Sequence, residues 1–178
     1  MTSGGIDCRV PGALVALVES VHDLPVVVRD RHMTVVASNP LAQELTGAFV
    51  PRTNIARFVF LEAPRQQDAS WWVDALGQLT SALRDSLEQH EEDASFRELI
   101  GELSAHSQTF ATAWAHDNRP AARSSRVTIM HSQIGPVELE YQELLVPNDF
   151  EFVLSIWRPV DSQESVLAFT RLRQLLDA

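Results

Sequence analysis

Lysine is absent from this chain and cysteine occurs once, at Cys8. A lone thiol closes no internal disulfide, so the fold must be held by its core. Fourteen arginines stand against twenty-four Asp and Glu, giving a formal net charge of −10. No basic stripe runs along any expected helix, which argues against a direct grip on a nucleic-acid backbone by this chain. No apolar run approaches the roughly 20 residues that span a bilayer, and the N-terminus lacks the order of a secretory signal. A soluble, cytoplasmic protein without a membrane partner is expected. With only seven glycines there is no phosphate-cradling loop, and neither G-x-S-x-G nor H-E-x-x-H nor a paired-cysteine pattern occurs. Glu102 and His106 stand four apart on one helix face, but nothing accompanies them as metal ligands, and a solvated pair is the plainer reading. The expectation is a protein that is not an enzyme and carries neither a metal nor a resident cofactor.

What is present is patterning. At 178 residues and 45% hydrophobic content, one domain with a full core is expected over 10–178, after a disordered segment 1–9. Leu14, Leu17, Val18 and Val21 recur at helical spacing after Pro11. The stretch 25–47, PVVVRDRHMTVVASNPLAQELTG, then reads as two short strands handing over to a capped helix. Val26 to Val28 and Thr34 to Val36 are β-branched runs separated by a few residues, a hairpin signal. Asn39 before Pro40 caps a helix carrying Leu41, Ala42 and Leu45, which Gly47 is expected to end in a left-handed conformation. Asn54 caps a short apolar helix over 55–61 ended by Pro64.

The longest helix is expected from about 68 to 90, with Trp72, Leu76, Leu79, Leu83 and Leu87 on one apolar stripe. An acidic run follows, and Ser95 with Glu98 reads as a capping box for the next helix. A bend near Ser107 leads to Phe110 and Trp114, one turn apart. Beyond Pro120 the period becomes alternating: Val127 and Ile129, then Val137, Leu139 and Tyr141, then Phe152, Leu154 and Ile156. Turns are expected at 133–136 and 147–149. Asp161 and Glu164 open a last helix with Val166, Phe169, Leu172 and Leu176. The expected fold is therefore α+β: a five-stranded antiparallel sheet closed by pairing the first strand with the last, a helical insertion covering one face, and flanking N- and C-terminal helices.

The strand, strand, N-P-x-A, L-x-G order is similar to the opening of a PAS domain. The wider pattern resembles the ligand-binding domain of MmyB-like, Xre-class transcription regulators over most of the chain. It is carried by the hairpin leading to Asn39 and Ala42, by Asn54, Ile55, Arg57, Phe60 and Leu61, and by Trp72, Ala75, Leu83 and Arg84. Glu102 and Leu103, the Phe110, Trp114, His116 run, His131, Gly135, Val137 and Leu139, and Pro159 before a Leu-rich helix complete it. The resemblance implies a PAS-like fold binding fatty acids or similar apolar effectors. It also implies DNA contact only through a helix-turn-helix, for which the nine residues before Val10 leave no room here, so a longer protein or a partner chain would supply the reader.

A ligand site is expected at Trp72, Leu76, Leu79, Leu83, Phe110, Trp114, His131 and Tyr141. Such an aromatic and leucine stripe also fits a filled core; a homodimer is expected, and a protein-interaction module that dimerises through the first or last amphipathic helix, without a ligand, is the competing reading. An acyl chain gains about 0.8 kcal/mol per buried methylene, but its carboxylate needs a donor. Arg84, His131, Tyr141 and Trp157 are the candidates; Arg84 also suits helix pairing, and His131 the satisfaction of backbone groups beside a turn. Trp157 and Arg158 are bulkier than the resemblance leads one to expect there.

Overall fold

The computed structural model describes residues 10–62, 70–89, 93–116, 119–146 and 152–176, with side chains given for 75–88 in the long helix. The expected tail 1–9, the stop at Pro64, the centre of the acidic run and the turn at 147–149 lie outside these residues, as does the Trp72 side chain.

Helix α1 (Gly12–Ser20) leads into the hairpin β1 (Val26–Asp30) and β2 (Val35–Ser38), followed by α2 (Pro40–Leu45). A 3-10 turn (Gly47–Phe49) and the short α3 (Ile55–Arg57), which runs on as a π-helical turn (Phe58–Glu62), precede the insertion helices α4 (Ser70–Gln89), α5 (Ala94–His106) and α6 (Gln108–His116). The strands β3 (Ser124–His131), β4 (Gly135–Leu145) and β5 (Phe152–Pro159) then lead to α7 (Gln163–Leu176). All five strands form one antiparallel sheet in the order β2-β1-β5-β4-β3, with the first strand paired to the last. This is the PAS-like α+β arrangement expected.

Side-chain alternation divides the sheet between two cores. Val26, Val28, Phe152 and Leu154 pack beneath α1 with Leu14 and Val18. Val27, Val137 and Leu139 face the other way, onto Leu41, Ala42 and Leu45 of α2 and Phe169 and Leu172 of α7. The expected β5 set Phe152, Leu154 and Ile156 therefore serves the α1 face, whereas Ser155 and Trp157 turn to the opposite one. Phe169 and Leu172 of α7 face the core as expected, but Val166 and Leu176 lie outward at 47% and 43% exposure, and Ser165 and Ala168 take their place.

Asn39 joins three segments. Its Oδ1 accepts from the N–H of Ala42 at 3.0 Å, capping α2, and from that of Val26 at 3.1 Å. Its Nδ2 donates to the Val21 and Leu24 carbonyls, both at 2.7 Å. Gly47 departs from expectation: it does not adopt positive φ. It begins the 3-10 turn, and a Cβ there would meet the Phe58 ring at 3.1 Å, so close approach is the constraint on it. Gly135, at φ 79°, is the glycine that opens β4 in the left-handed region.

The insertion builds a core of its own: Leu76, Leu83, Phe96, Leu99, Leu103 and Phe110 are buried together with Met33 and Phe60. Phe110 lies edge-on to Phe60 at 5.0 Å and stacks on Trp114 at 5.4 Å. Helix α5 is capped by Asp93, whose Oδ1 accepts from the Ser95 N–H at 2.9 Å, rather than by Ser95 itself. The Asp93 carboxylate reaches the β1–β2 turn, pairing with Arg31 at 2.9 Å and His32 at 2.7 Å. Partial burial pushes this carboxyl up, but the His32 hydrogen bond and charge, the Ser95 N–H and Arg31 together hold it below its usual 3.8. A depressed carboxylate contributes stability that is present above 3.8 and is lost as pH falls through the folded value. The gap in Tm between the protein and its Asp93→Asn variant should therefore hold steady at neutral pH and close below 3.8; a gap independent of pH would remove this latch from the acid limb.

Candidate functional site

A cavity of about 440 Å³ lies between the sheet and the α2–α4 side of the molecule. Helix α4 contributes Ala75, Gln78, Leu79 and Ala82, one helical stripe. The stripe is adjacent to the one that carries Leu76 and Leu83 into the insertion core. Its two alanines reach less far than leucines, and space remains in front of them. Phe49, Ile55, Phe58 and Val59 form the opposite apolar wall, and Val127 and Ile129 of β3 with Tyr141 and Trp157 form the floor.

The expected site residues divide accordingly. Leu79, His131 and Tyr141 line the cavity, as does Trp157. Leu76, Leu83, Phe110 and Trp114 do not: they pack among α4, α5, α6 and Phe60, because helices laid against α4 claim its largest side chains. Arg84 is a helix-pairing residue, its Nη2 donating to the Trp114 carbonyl at 2.5 Å and its guanidinium lying over the Trp114 ring.

The polar candidates are already engaged. His131 Nε2 lies 3.0 Å from the Glu44 carbonyl, and Nδ1 accepts from the Gln133 N–H at 3.3 Å. Both ring nitrogens thus serve backbone, consistent with a proton on Nε2. Trp157 Nε1 donates to Ser155 Oγ at 3.0 Å, and its ring packs between Phe49 and Tyr141. Burial, reinforced by the negative charge of Glu143, pushes the Tyr141 phenol up to about 12. It therefore stays protonated and donates to the Ala122 carbonyl at 3.4 Å.

Of the polar lining residues that were not anticipated, three stand out. Arg29 of β1 and Glu143 of β4 reach toward each other across β5, over Val153 and Ser155, their register partners. They form an ion pair of 2.8 Å with side-chain exposures of 9% and 11%. A signal for Arg29 was present, since it shares the face of Val27 in a strand whose residues 26–29 are all buried. Gln78 is the third, and its Oε1 is buried without a hydrogen-bond partner among the described residues. The site is thus a largely apolar cleft with a charged, donor-bearing part. Among the described residues no group of three or more His, Cys, Asp or Glu side chains is placed to hold a metal, and no helix is long and apolar enough to cross a membrane.

Residues 10–172 match the family model for the MmyB-like transcription regulator ligand binding domain. Among solved structures, the chain is similar to the PAS domain of the Cronobacter turicensis RpfR quorum-sensing receptor in complex with C12:0. The identity is 17% and the TM-score 0.35, covering 79% of this chain and 97% of that one. The same receptor domain in complex with BDSF matches with 17% identity, a TM-score of 0.34 and the same coverage. No curated protein matches the chain. The family match takes in both faces of the sheet, the helical insertion and most of α7; this chain belongs to the MmyB-like transcription regulator ligand-binding domain family.

Proposed function

We propose that this domain is the sensory part of a cytoplasmic transcription regulator, taking up a small apolar effector such as a fatty acid and passing its occupancy to a DNA-binding region or partner. The observation that carries the reading is the cavity itself. A filled-core interaction module has no use for a cleft of about 440 Å³ that carries polar groups among apolar walls, a volume typical of small-molecule sites. Ten methylenes buried there contribute about 8 kcal/mol gross, enough to offset much of the cost of association. The family is one of regulatory ligand-binding domains rather than of enzymes, so uptake without chemical change is the expected outcome.

Occupancy would act by population shift, favouring one packing of α4 against the sheet. Native mass spectrometry of freshly purified protein, followed by solvent extraction, tests the reading. A stoichiometric acyl ligand is the expected result. An empty protein whose Tm ignores a panel of fatty acids would overturn it in favour of the interaction module.

A further inference from the structure

The charged end of the cavity is one link of a chain of ion pairs leading to α4. Glu143 pairs through Oε1 with Arg29 at 2.8 Å and stands, through Oε2, 3.6 Å from Arg123. Arg123 in turn holds Asp85 of α4 at 3.0 Å. Exposure rises along this chain, from 9% at Arg29 and 11% at Glu143 to 41% at Arg123 and 38% at Asp85. The backbone of Arg123 is fixed to β4, because its carbonyl accepts from the Glu143 N–H at 2.7 Å. Its side chain is therefore free to divide itself between the two carboxylates while its main chain stays still.

Arg29 has unused capacity. Its planar guanidinium carries five N–H groups, and among the described residues its one hydrogen bond goes to Glu143. Both side chains line the cavity. The four charges of this chain balance, so what the poorly exposed Arg29 offers a carboxylate is the unfilled part of its guanidinium fork, directed at a largely apolar cavity. A carboxylate arriving there competes with Glu143 for the Arg29 fork, and Glu143 has a second cation within reach.

We propose that Arg29 seats the carboxylate of an acyl ligand, that Glu143 passes from Arg29 toward Arg123 as it binds, and that Arg123 thereby loosens its hold on Asp85 of α4. This rests on the reading of the cavity as an effector site and adds both the charge of the effector and the route by which α4 feels it. Every step is an exchange of ion-pair partners, without bond chemistry.

The test compares dodecanoate with dodecanol, which share a chain and differ in charge, by calorimetric titration at neutral pH. The wild-type protein should prefer the acid. Glu143→Gln, which removes the competing anion, should tighten dodecanoate binding by about tenfold while leaving dodecanol unchanged. The double variant Arg29→Met with Glu143→Leu replaces the pair without stranding either charge, and should bind both ligands alike. Hydrogen exchange around Asp85 should respond to dodecanoate in the wild-type protein and not in Arg123→Gln. Dodecanol binding with no preference for the acid in either the wild-type protein or Glu143→Gln would overturn this proposal alone. Absence of binding by either ligand would overturn it together with the effector reading.

Discussion

Replacing Asn39 with alanine is expected to lower the unfolding free energy by about 4 kcal/mol, read as a fall of roughly 10 °C in Tm for a chain of this size. The residue is 2% exposed and makes four hydrogen bonds, two accepted and two donated. Alanine leaves the Val26 N–H and the Val21 and Leu24 carbonyls without these partners in a region with little access to water, and each such group carries a desolvation cost of about 1–3 kcal/mol, whereas the Ala42 N–H keeps its 3.1 Å contact with the main-chain carbonyl of residue 39. A serine there can still cap α2, but its short side chain lacks the donors that hold Val21 and Leu24. Asn39→Ser should therefore recover only part of the loss. Urea unfolding of the three proteins measures this. Full recovery by serine would reduce Asn39 to an ordinary cap and remove its role in fastening the exit of α1 to the start of β1.

Filling the cavity from α4 is expected to have the largest effect on binding. Ala75→Phe places a ring where the acyl chain would lie, and affinity for dodecanoate should fall by about a hundredfold or more, since displaced chain contacts cost about 0.8 kcal/mol per methylene. Stability should move by less than about 2 kcal/mol, because the added ring occupies existing space rather than forcing a filled core apart. The contrast matters more than either number. Binding lost with a cooperative melt retained places the ligand in front of α4. Binding retained at wild-type strength would place it elsewhere.

Much of the architecture was legible because it is set by near neighbours in the chain. Asn39 before Pro40, Asn54 before Ile55 and the alternating runs after Pro120 each declare a cap or a strand through contacts a few residues long. Both caps are present: Asn54 Oδ1 accepts from the Arg57 N–H at 3.0 Å. The cap of α5 was misread by two residues because Asp93 and Ser95 are both good caps. Asp93 prevails, and it also meets Arg31 and His32, residues 61 and more positions away in sequence.

The cavity was harder to read for a reason of scale. Periodicity on α4 identifies an apolar stripe but not what lies opposite, and the large residues Leu76 and Leu83 attract attention when the open space lies before the smaller Ala75 and Ala82. A cavity is recorded in sequence as what is small. The Arg29–Glu143 pair spans 114 positions and exists only because β5 enters between β1 and β4. No local spacing announces it. Arg84 was read more fairly, since a long cation on a helix beside aromatic residues has two uses, and here the Trp114 ring and carbonyl take it.

The central claim, that the space between α4 and the sheet holds an amphipathic acyl ligand, is tested most directly by titrating dodecanoate into the purified protein calorimetrically at two temperatures. The account predicts saturable binding of one ligand per chain, with a negative heat-capacity change from burial of its apolar surface and a rise in Tm that grows with ligand concentration. Absence of saturable heat, with a Tm unmoved by acyl acids and alcohols alike, would contradict it.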